Sequence, residues 1–294
     1  MKKRCDHLKQ PRVLLIQDIS ASCRISMNVA VPVVSCLDNW VSILPTALLS
    51  THTGQPFADY TFLDLTEEMG NILRHWKSLG ILFDGILIGY LGSHSQIELV
   101  KGIIKEFAKE DAQIVLDPAM ADQGVLYPGF TQEYVEAMAE LCKEATVIVP
   151  NITEACFLMQ QPCLTKPYRL SDIEALLDGL RQLSQSAVIL TGVTFDARSI
   201  GAACASEERA AADYFFAPAY PGHFDGAGDL FTSVVGGFLF QKQPLAVATE
   251  TAVSYNNKVI ERTIRNGVEA FYGLQFETDL PYLIAQLQKN KLKV

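Results

Sequence analysis

The sequence is poor in charge: 19% of its 294 residues are Asp, Glu, Lys or Arg. Positive charge is the scarcer kind, with 24 Lys and Arg against 33 Asp and Glu and a net charge of −9. That balance argues against general nucleic-acid binding, which needs a basic face. Any anionic ligand must instead be held by main-chain amides, a metal ion or one or two cations. No apolar run approaches the ~20 residues that cross a bilayer. The basic start, Met1 to Gln10, leads only into the short run Val13 to Ile16, too brief for a secretory signal. None of the seven cysteines forms a Cys-x-x-Cys pair, which argues against a zinc site or a disulfide framework and fits a reducing compartment. The expectation is a soluble, cytoplasmic protein. Linkers, internal repeats and low-complexity segments are also missing.

What the sequence does have is a globular composition, 49% hydrophobic, and a β-α rhythm. Val13 to Ile16 reads as a buried strand. Met27, Ala30, Val31, Val34 and Leu37 recur at helical spacing, with Ser26 as the expected cap. Val41 to Leu44 is a second strand, and Met69, Ile72, Leu73, Trp76 and Leu79 make a helical stripe ending at Gly80. Ile86 to Ile88 is a strand, followed by a helix carrying Ile97, Val100, Ile104 and Phe107. Three further strands run into polar or turn residues: Ile114 to Leu116 into Asp117-Pro118, Val147 to Val149 into Pro150-Asn151, and Val188 to Leu190 into Thr191-Gly192. Alternation of this kind predicts a mainly parallel sheet covered on both faces, with ligands at the strands' carboxyl ends. Residues 46–65 break the rhythm and predict a small flap or extra strands at the sheet edge. The expected organisation is a flexible tail over residues 1–11 and a single domain over 12–294.

The strongest chemical signal is Asp225-Gly-Ala-Gly-Asp229-Leu-Phe-Thr-Ser ahead of a helical stretch. Glycines at a helix start let main-chain amides approach an anion, and the helix dipole favours phosphate there. An aspartate in the same turn is unfavourable for binding phosphate alone, but it suits a base that takes a hydroxyl proton during phosphoryl transfer. The plainer alternative is a glycine turn with an aspartate that favours the helix N-terminus. The segment is neither a Walker loop nor a strand-linked G-x-G-x-x-G. Asn151-Ile-Thr-Glu154 reads as a capping box, or as a place where Glu154 acts through water on Mg²⁺. Asp117 and Asp122 are an ordinary acidic loop unless a phosphate site lies beside them. His52 and His94 lie in loops after strands, His223 precedes the glycine motif, and no Ser/His/Asp or Cys/His constellation stands out.

Taken together, the segments Leu-Leu-Ile-Gln-Asp-Ile-Ser20, Leu-Pro-Thr-Ala-Leu-Leu-Ser-Thr-His-Thr-Gly54, Ile-Gly-Tyr-Leu-Gly-Ser93, Asp117-Pro-Ala-Met-Ala-Asp-Gln-Gly-Val-Leu-Tyr127, Val-Pro-Asn-Ile-Thr-Glu154, Leu-Thr-Gly192 and Gly-Ala-Gly-Asp229 resemble the ribokinase-like superfamily. Within it they resemble most the pyridoxal/pyridoxamine kinase branch. The resemblance runs from about Arg12 to Asn266. It implies a three-layer α/β/α sandwich, ATP with Mg²⁺, optionally joined by a monovalent cation, and a homodimer. The implied reaction is ATP-dependent phosphorylation of the 5′-hydroxymethyl group of pyridoxal, pyridoxamine or pyridoxine. Asp229 would be the base, and Gly226, Ala227 and Gly228 the anion hole. Asp117, Asn151, Thr191 and Gly192, with Gly226 and Gly228, would line the triphosphate channel. Glu154 and Asp122 would organise Mg²⁺ and its waters. Thr53 and Tyr90 would face the pyridine ring, with Asp18 at its polar edge. The first loop, Asp18 to Ser26, departs from the branch: it has no glycine near Cys23, and Arg24 stands where lysine is frequent. Ala121 replaces another frequent glycine. A hydroxymethylpyrimidine or sugar kinase of the same superfamily, or a non-catalytic binding relative, are the alternatives.

Overall fold

The computed structural model describes residues 10–206 and 211–292. The tail expected over residues 1–11 therefore lies largely outside the described residues. The first strand, β1 (Arg12–Ser20), is buried on both faces along most of its length, because it is central. It pairs in parallel with β2 (Trp40–Leu49) on one side and β4 (Phe83–Ile88) on the other. Beyond β4 come β5 (Ala108–Leu116), β8 (Val147–Ile148) and β9 (Ala187–Val193), all parallel. The short β3 (Phe62–Asp64) adds antiparallel to β2, and β10 (Ser199–Ala205) and β11 (Asp213–Pro218) extend the opposite edge antiparallel. The sheet thus has nine strands in the order β11-β10-β9-β8-β5-β4-β1-β2-β3, beside a small hairpin of β6 (Ala121–Asp122) and β7 (Val125–Leu126).

Residues 46–65 resolve into the second half of β2, a loop and the edge strand β3, so the extra-strand expectation holds. The β10 and β11 strands were not legible from the sequence: β10 is built largely of Gly and Ala, and β11 is nowhere fully buried.

Strand alternation sends Leu14 and Ile16 to one face and Val13 and Leu15 to the other. The first face is covered by α2 (Thr66–Leu79), α3 (His94–Phe107), α4 (Gln132–Cys142), α5 (Ile152–Leu158) and α6 (Leu170–Ser184). The second is covered by α1 (Met27–Cys36), α7 (Ala227–Phe240), α8 (Leu245–Arg265) and α9 (Leu280–Lys291). The result is the expected three-layer α/β/α sandwich with a mainly parallel central sheet. The stripe from Met69 to Leu79 forms α2, and Gly80 closes it in the left-handed conformation, as a helix stop requires.

One cap differs from expectation. Ser26 stands at the N-cap of α1 but makes no side-chain cap hydrogen bond, and its φ is +50°. The left-handed residue of the first loop is therefore Ser26, while Cys23 is not among the positive-φ residues. The glycine missing near Cys23 is thus not replaced by strain at Cys23.

Chain order reverses at β1, with β2 on one side and β4 on the other. Open parallel sheets form a crevice at such a point, beyond the strands' carboxyl ends. The second half of helix α7 packs tightly on its neighbours: a β-carbon on Gly236 would lie 2.6 Å from Leu87 of β4, and one on Gly237 2.5 Å from Leu37 at the end of α1.

Candidate active site

Helix α7 begins at the glycine motif. Gly226 has φ +78°, and a β-carbon there would lie 2.6 Å from the carbonyl of Arg24. Conformation and close approach both demand glycine. Gly228 is different: nothing lies within 4 Å of where its β-carbon would be, so its face of the helix start is open. Among the described residues no acceptor meets the N–H of Gly228 or Asp229, whereas the Ala227 N–H donates to Phe224 O at 3.2 Å. Ala227's amide thus serves the turn, and the N–H groups of this segment without an acceptor among the described residues are those of Gly226, Gly228 and Asp229. Asn256 fixes the turn from α8 by donating to Ala227 O at 2.8 Å.

The Asp229 carboxyl is surrounded by protein, although the residue is partly open to the cleft. Burial pushes its pKa from 3.8 to about 8, with Asp18, Asp117 and Asp225 adding to the rise and the Ser26 N–H opposing it. Ser26 also turns its hydroxyl toward Asp18. It stands between the two acids, a placement that no spacing rule reveals.

On one side of Asp229 lie the other acids. Asp117 follows β5 and accepts from the Thr232 hydroxyl at 2.7 Å; burial raises its pKa to about 6 against that hydrogen bond. Thr232 was missed as a site residue, although it lies three positions after Asp229 and so shares its helix face. The capping box at Asn151 and Glu154 is present, with Asn151 N donating to Glu154 at 2.8 Å and Glu154 N to Asn151 at 2.9 Å. Glu154 also accepts from Met120 N at 3.2 Å. Its pKa is raised by burial and by Asp117, against those amides. A box that would ordinarily sit at the surface is here buried beside a second acid. Asn151 also donates to Ala121 O at 2.9 Å, tying α5 to the β6–β7 hairpin that carries Asp122. The phenol of Tyr127, at the end of that hairpin, is raised first by burial and then by Glu154, Asp122, Asp117 and Asp229. One side chain thus lies near acids from three separate stretches of the chain. Thr191 pairs with Asn151 across a bridge, and Gly192 follows at φ +74° with open space beside it.

The donor set of Asp117, Asp122, Glu154 and Asp229 is all oxygen, and no Lys or Arg contributes to the shifts of Asp117, Glu154 or Asp229. That chemistry fits a hard divalent cation which keeps some of its waters. Among the described residues no cluster is tight enough to hold a metal ion by side chains alone.

On the other side of Asp229 lies the end of β1. Asp18 is buried and accepts from Ser20 at 2.9 Å. Burial raises its pKa, opposed by Ser26, Ser20 and the neighbouring His52. Tyr90 is half-buried, 5.8 Å ring to ring from Phe130, and its phenol is pushed up to about 12 by burial and then by Asp18. The segment after Tyr90 is held by Gln96, wholly buried, which accepts from Gly92 N at 2.7 Å and donates to Thr46 O and Thr66 Oγ1, both at 2.9 Å. Thr53 is exposed on the loop after β2. That loop is pinned by His52, whose Nδ1 accepts from Gly54 N at 3.0 Å while Nε2 lies 2.7 Å from Phe271 O. These contacts specify the Nε2–H tautomer. Arg24 is engaged by Glu277, with Nε 2.5 Å from Oε1.

Comparison with known proteins gives this crevice a context. A profile of the phosphomethylpyrimidine kinase family matches residues 78–272. A Bacteroides thetaiotaomicron chain, provisionally assigned as a phosphomethylpyrimidine kinase, superposes with a TM-score of 0.90 at 34% identity, covering 95% of this chain and 96% of that one. An orthorhombic crystal form of it, solved with pyridoxal, superposes with a TM-score of 0.86. The pyridoxal kinase from Lactobacillus plantarum superposes with a TM-score of 0.86 at 31% identity, covering 95% of this chain and 98% of that one. A Schizosaccharomyces pombe protein, provisionally named a pyridoxal kinase, is 27% identical over 212 residues, 68% of this chain and 59% of its own length. The sandwich, its switch-point crevice and the acid-bearing helix start define a ribokinase-like α/β protein. The chain belongs to the phosphomethylpyrimidine kinase family, and within it resembles pyridoxal kinases.

Proposed function

We propose that this chain transfers the γ-phosphoryl group of ATP to the 5′-hydroxymethyl group of a vitamin B6 vitamer, with Asp229 as the proton acceptor. The observation that carries the chemistry is the Asp229 carboxyl beside main-chain amides that have no acceptor among the described residues, at the positive end of α7. A raised pKa makes the carboxylate a competent base once ionised, and the open N–H groups stabilise charge on the transferring phosphoryl group. Asp18, Tyr90 and Thr53 orient the vitamer, and Asp117, Asn151, Thr191, Gly192, Gly226 and Gly228 line the phosphate channel. Asp122 and Glu154 hold Mg²⁺ through water, and the ion supplies charge neutralisation of the phosphates when bound. The choice of vitamer is supported by 31% identity to the L. plantarum pyridoxal kinase over 95% of this chain and by the relative crystallised with pyridoxal.

The proposed working form is a cytoplasmic homodimer of a single domain. It is supported by exposed Ile43, Leu48, Phe62 and Leu63 near one sheet edge and by the absence of disulfides among the described residues. No helix among the described residues is long and apolar enough to cross a membrane. A second substrate, hydroxymethylpyrimidine, is favoured by the family profile.

Steady-state ADP release with pyridoxal, pyridoxamine, pyridoxine and hydroxymethylpyrimidine separates the two. The expected result is the highest kcat/KM with a B6 vitamer. A strong pyrimidine signal with no B6 turnover would overturn the proposal.

A further inference from the structure

His223 lies just before the glycine motif and belongs to neither the acid set nor the open amides. Its Nε2 is 3.1 Å from Asp225 Oδ1. Its Nδ1 is 3.4 Å from Gln123 Nε2 and 3.9 Å from Asp122 Oδ2. One imidazole therefore touches two walls of the cleft that are 100 residues apart in sequence. On one wall, the turn 123–124 of the β6–β7 hairpin is anchored to α5 by Gly124 N donating to Thr153 Oγ1 at 3.1 Å and by Asn151 donating to Ala121 O at 2.9 Å. On the other, Asp225 immediately precedes Gly226, and its Oδ1 lies 4.0 Å from where a β-carbon of Gly54 would be. Asp225 thus abuts the loop proposed to orient the acceptor.

We infer that His223 is a positioning residue for phosphoryl transfer, a strut that sets the separation between the donor-side hairpin and the turn that presents Asp229. This inference rests on the kinase function proposed above. The reacting oxygens must be held near 3 Å and in line, and displacement by an ångström can cost up to about a hundredfold in rate. His223 need not touch either substrate. It acts through Asp225 on the turn at Gly226 and through Gln123 and Asp122 on the hairpin. Its side chain is 56% exposed, so its removal leaves no cavity.

The test compares His223→Ala and His223→Gln with the unaltered chain. The longer amide of His223→Gln can still donate to Asp225. The expected result for His223→Ala is a kcat about tenfold lower, with KM for vitamer and for MgATP each within twofold and an unchanged melting temperature. His223→Gln should recover kcat to within about threefold of the unaltered chain. A residue that only stabilised the fold would lower the melting temperature and would not split kcat from KM. Hydrogen exchange of the amides at 121–126 and 226–229, read without substrate, should rise at least threefold in His223→Ala and recover in His223→Gln. Unaltered exchange at both segments, or a kcat within twofold of the unaltered chain, would overturn the strut. If the unaltered chain turns over no vitamer, the functional proposal fails, and the exchange data still decide whether His223 joins the two walls.

Discussion

Replacing Asp229 by Asn should remove most of the activity and, at neutral or alkaline pH, make the protein more stable. In the folded chain the carboxyl is held near pKa 8, against an ordinary value of 3.8. Between those two pH values the folded state keeps a proton that the unfolded chain has lost, so stability falls as pH rises through this window and levels off above about 8. Four pKa units correspond to about 6 kcal/mol as a ceiling. Water in the cleft reaches the partly exposed residue, and screening reduces the expected effect to about 2 kcal/mol. An amide has no proton to lose. Asp229→Asn should therefore match the unaltered chain in urea stability near pH 4, and the gap should widen to about 2 kcal/mol by pH 8. Over the same range its kcat should be at least about a hundredfold lower, as loss of a general base implies. For the unaltered chain, kcat/KM should rise with pH above the ordinary carboxylate range, as the Asp229 carboxyl loses its proton. A stability gap that does not change with pH, or a variant kcat within about tenfold of the original, would refute the assignment of the base.

The two glycines of the motif should part company. Gly226→Ala should destabilise by about 1–3 kcal/mol, because a β-carbon would meet Arg24 O at a positive φ, whereas Gly228→Ala should leave urea stability unchanged or slightly higher and cut kcat by blocking the open face. Gln96→Ala should cost about 2–3 kcal/mol through unsatisfied buried groups and raise the vitamer KM by loosening Tyr90. Equal stability by chemical denaturation would contradict this. The rise in melting temperature on adding MgCl₂ should grow between pH 5 and 7 as Asp117, held near pKa 6, loses its proton, and it should be largely absent in Asp117→Asn.

Local pattern was sufficient to locate most of the layered fold, because buried parallel strands and amphipathic helices carry their own periodicities. The stripe from Met69 to Leu79 and its Gly80 stop gave α2, and the acids and turns after β5, β8 and β9 pointed to one end of the sheet. The glycine motif pointed to an anion beside a helix start for the same local reason. Which amides stay free was another matter: Ala227's N–H is taken by a turn to Phe224, and hydrogen-bond closure of a turn is invisible in composition.

The partners of Ser26, Thr232, Gln96 and His223 were decided only by tertiary structure. Their partners are Asp18 and Asp229, Asp117, the segment after Tyr90, and the hairpin turn at Gln123. The pKa of Asp229 belongs to the same level, since an aspartate's sequence neighbours do not set its solvation. Chain chemistry by itself determined that a carboxylate would meet a helix start. Only the packing of α7 in the tertiary fold decided that this acid would be enclosed and crowded by other acids, because burial and charge proximity are properties of the assembled core.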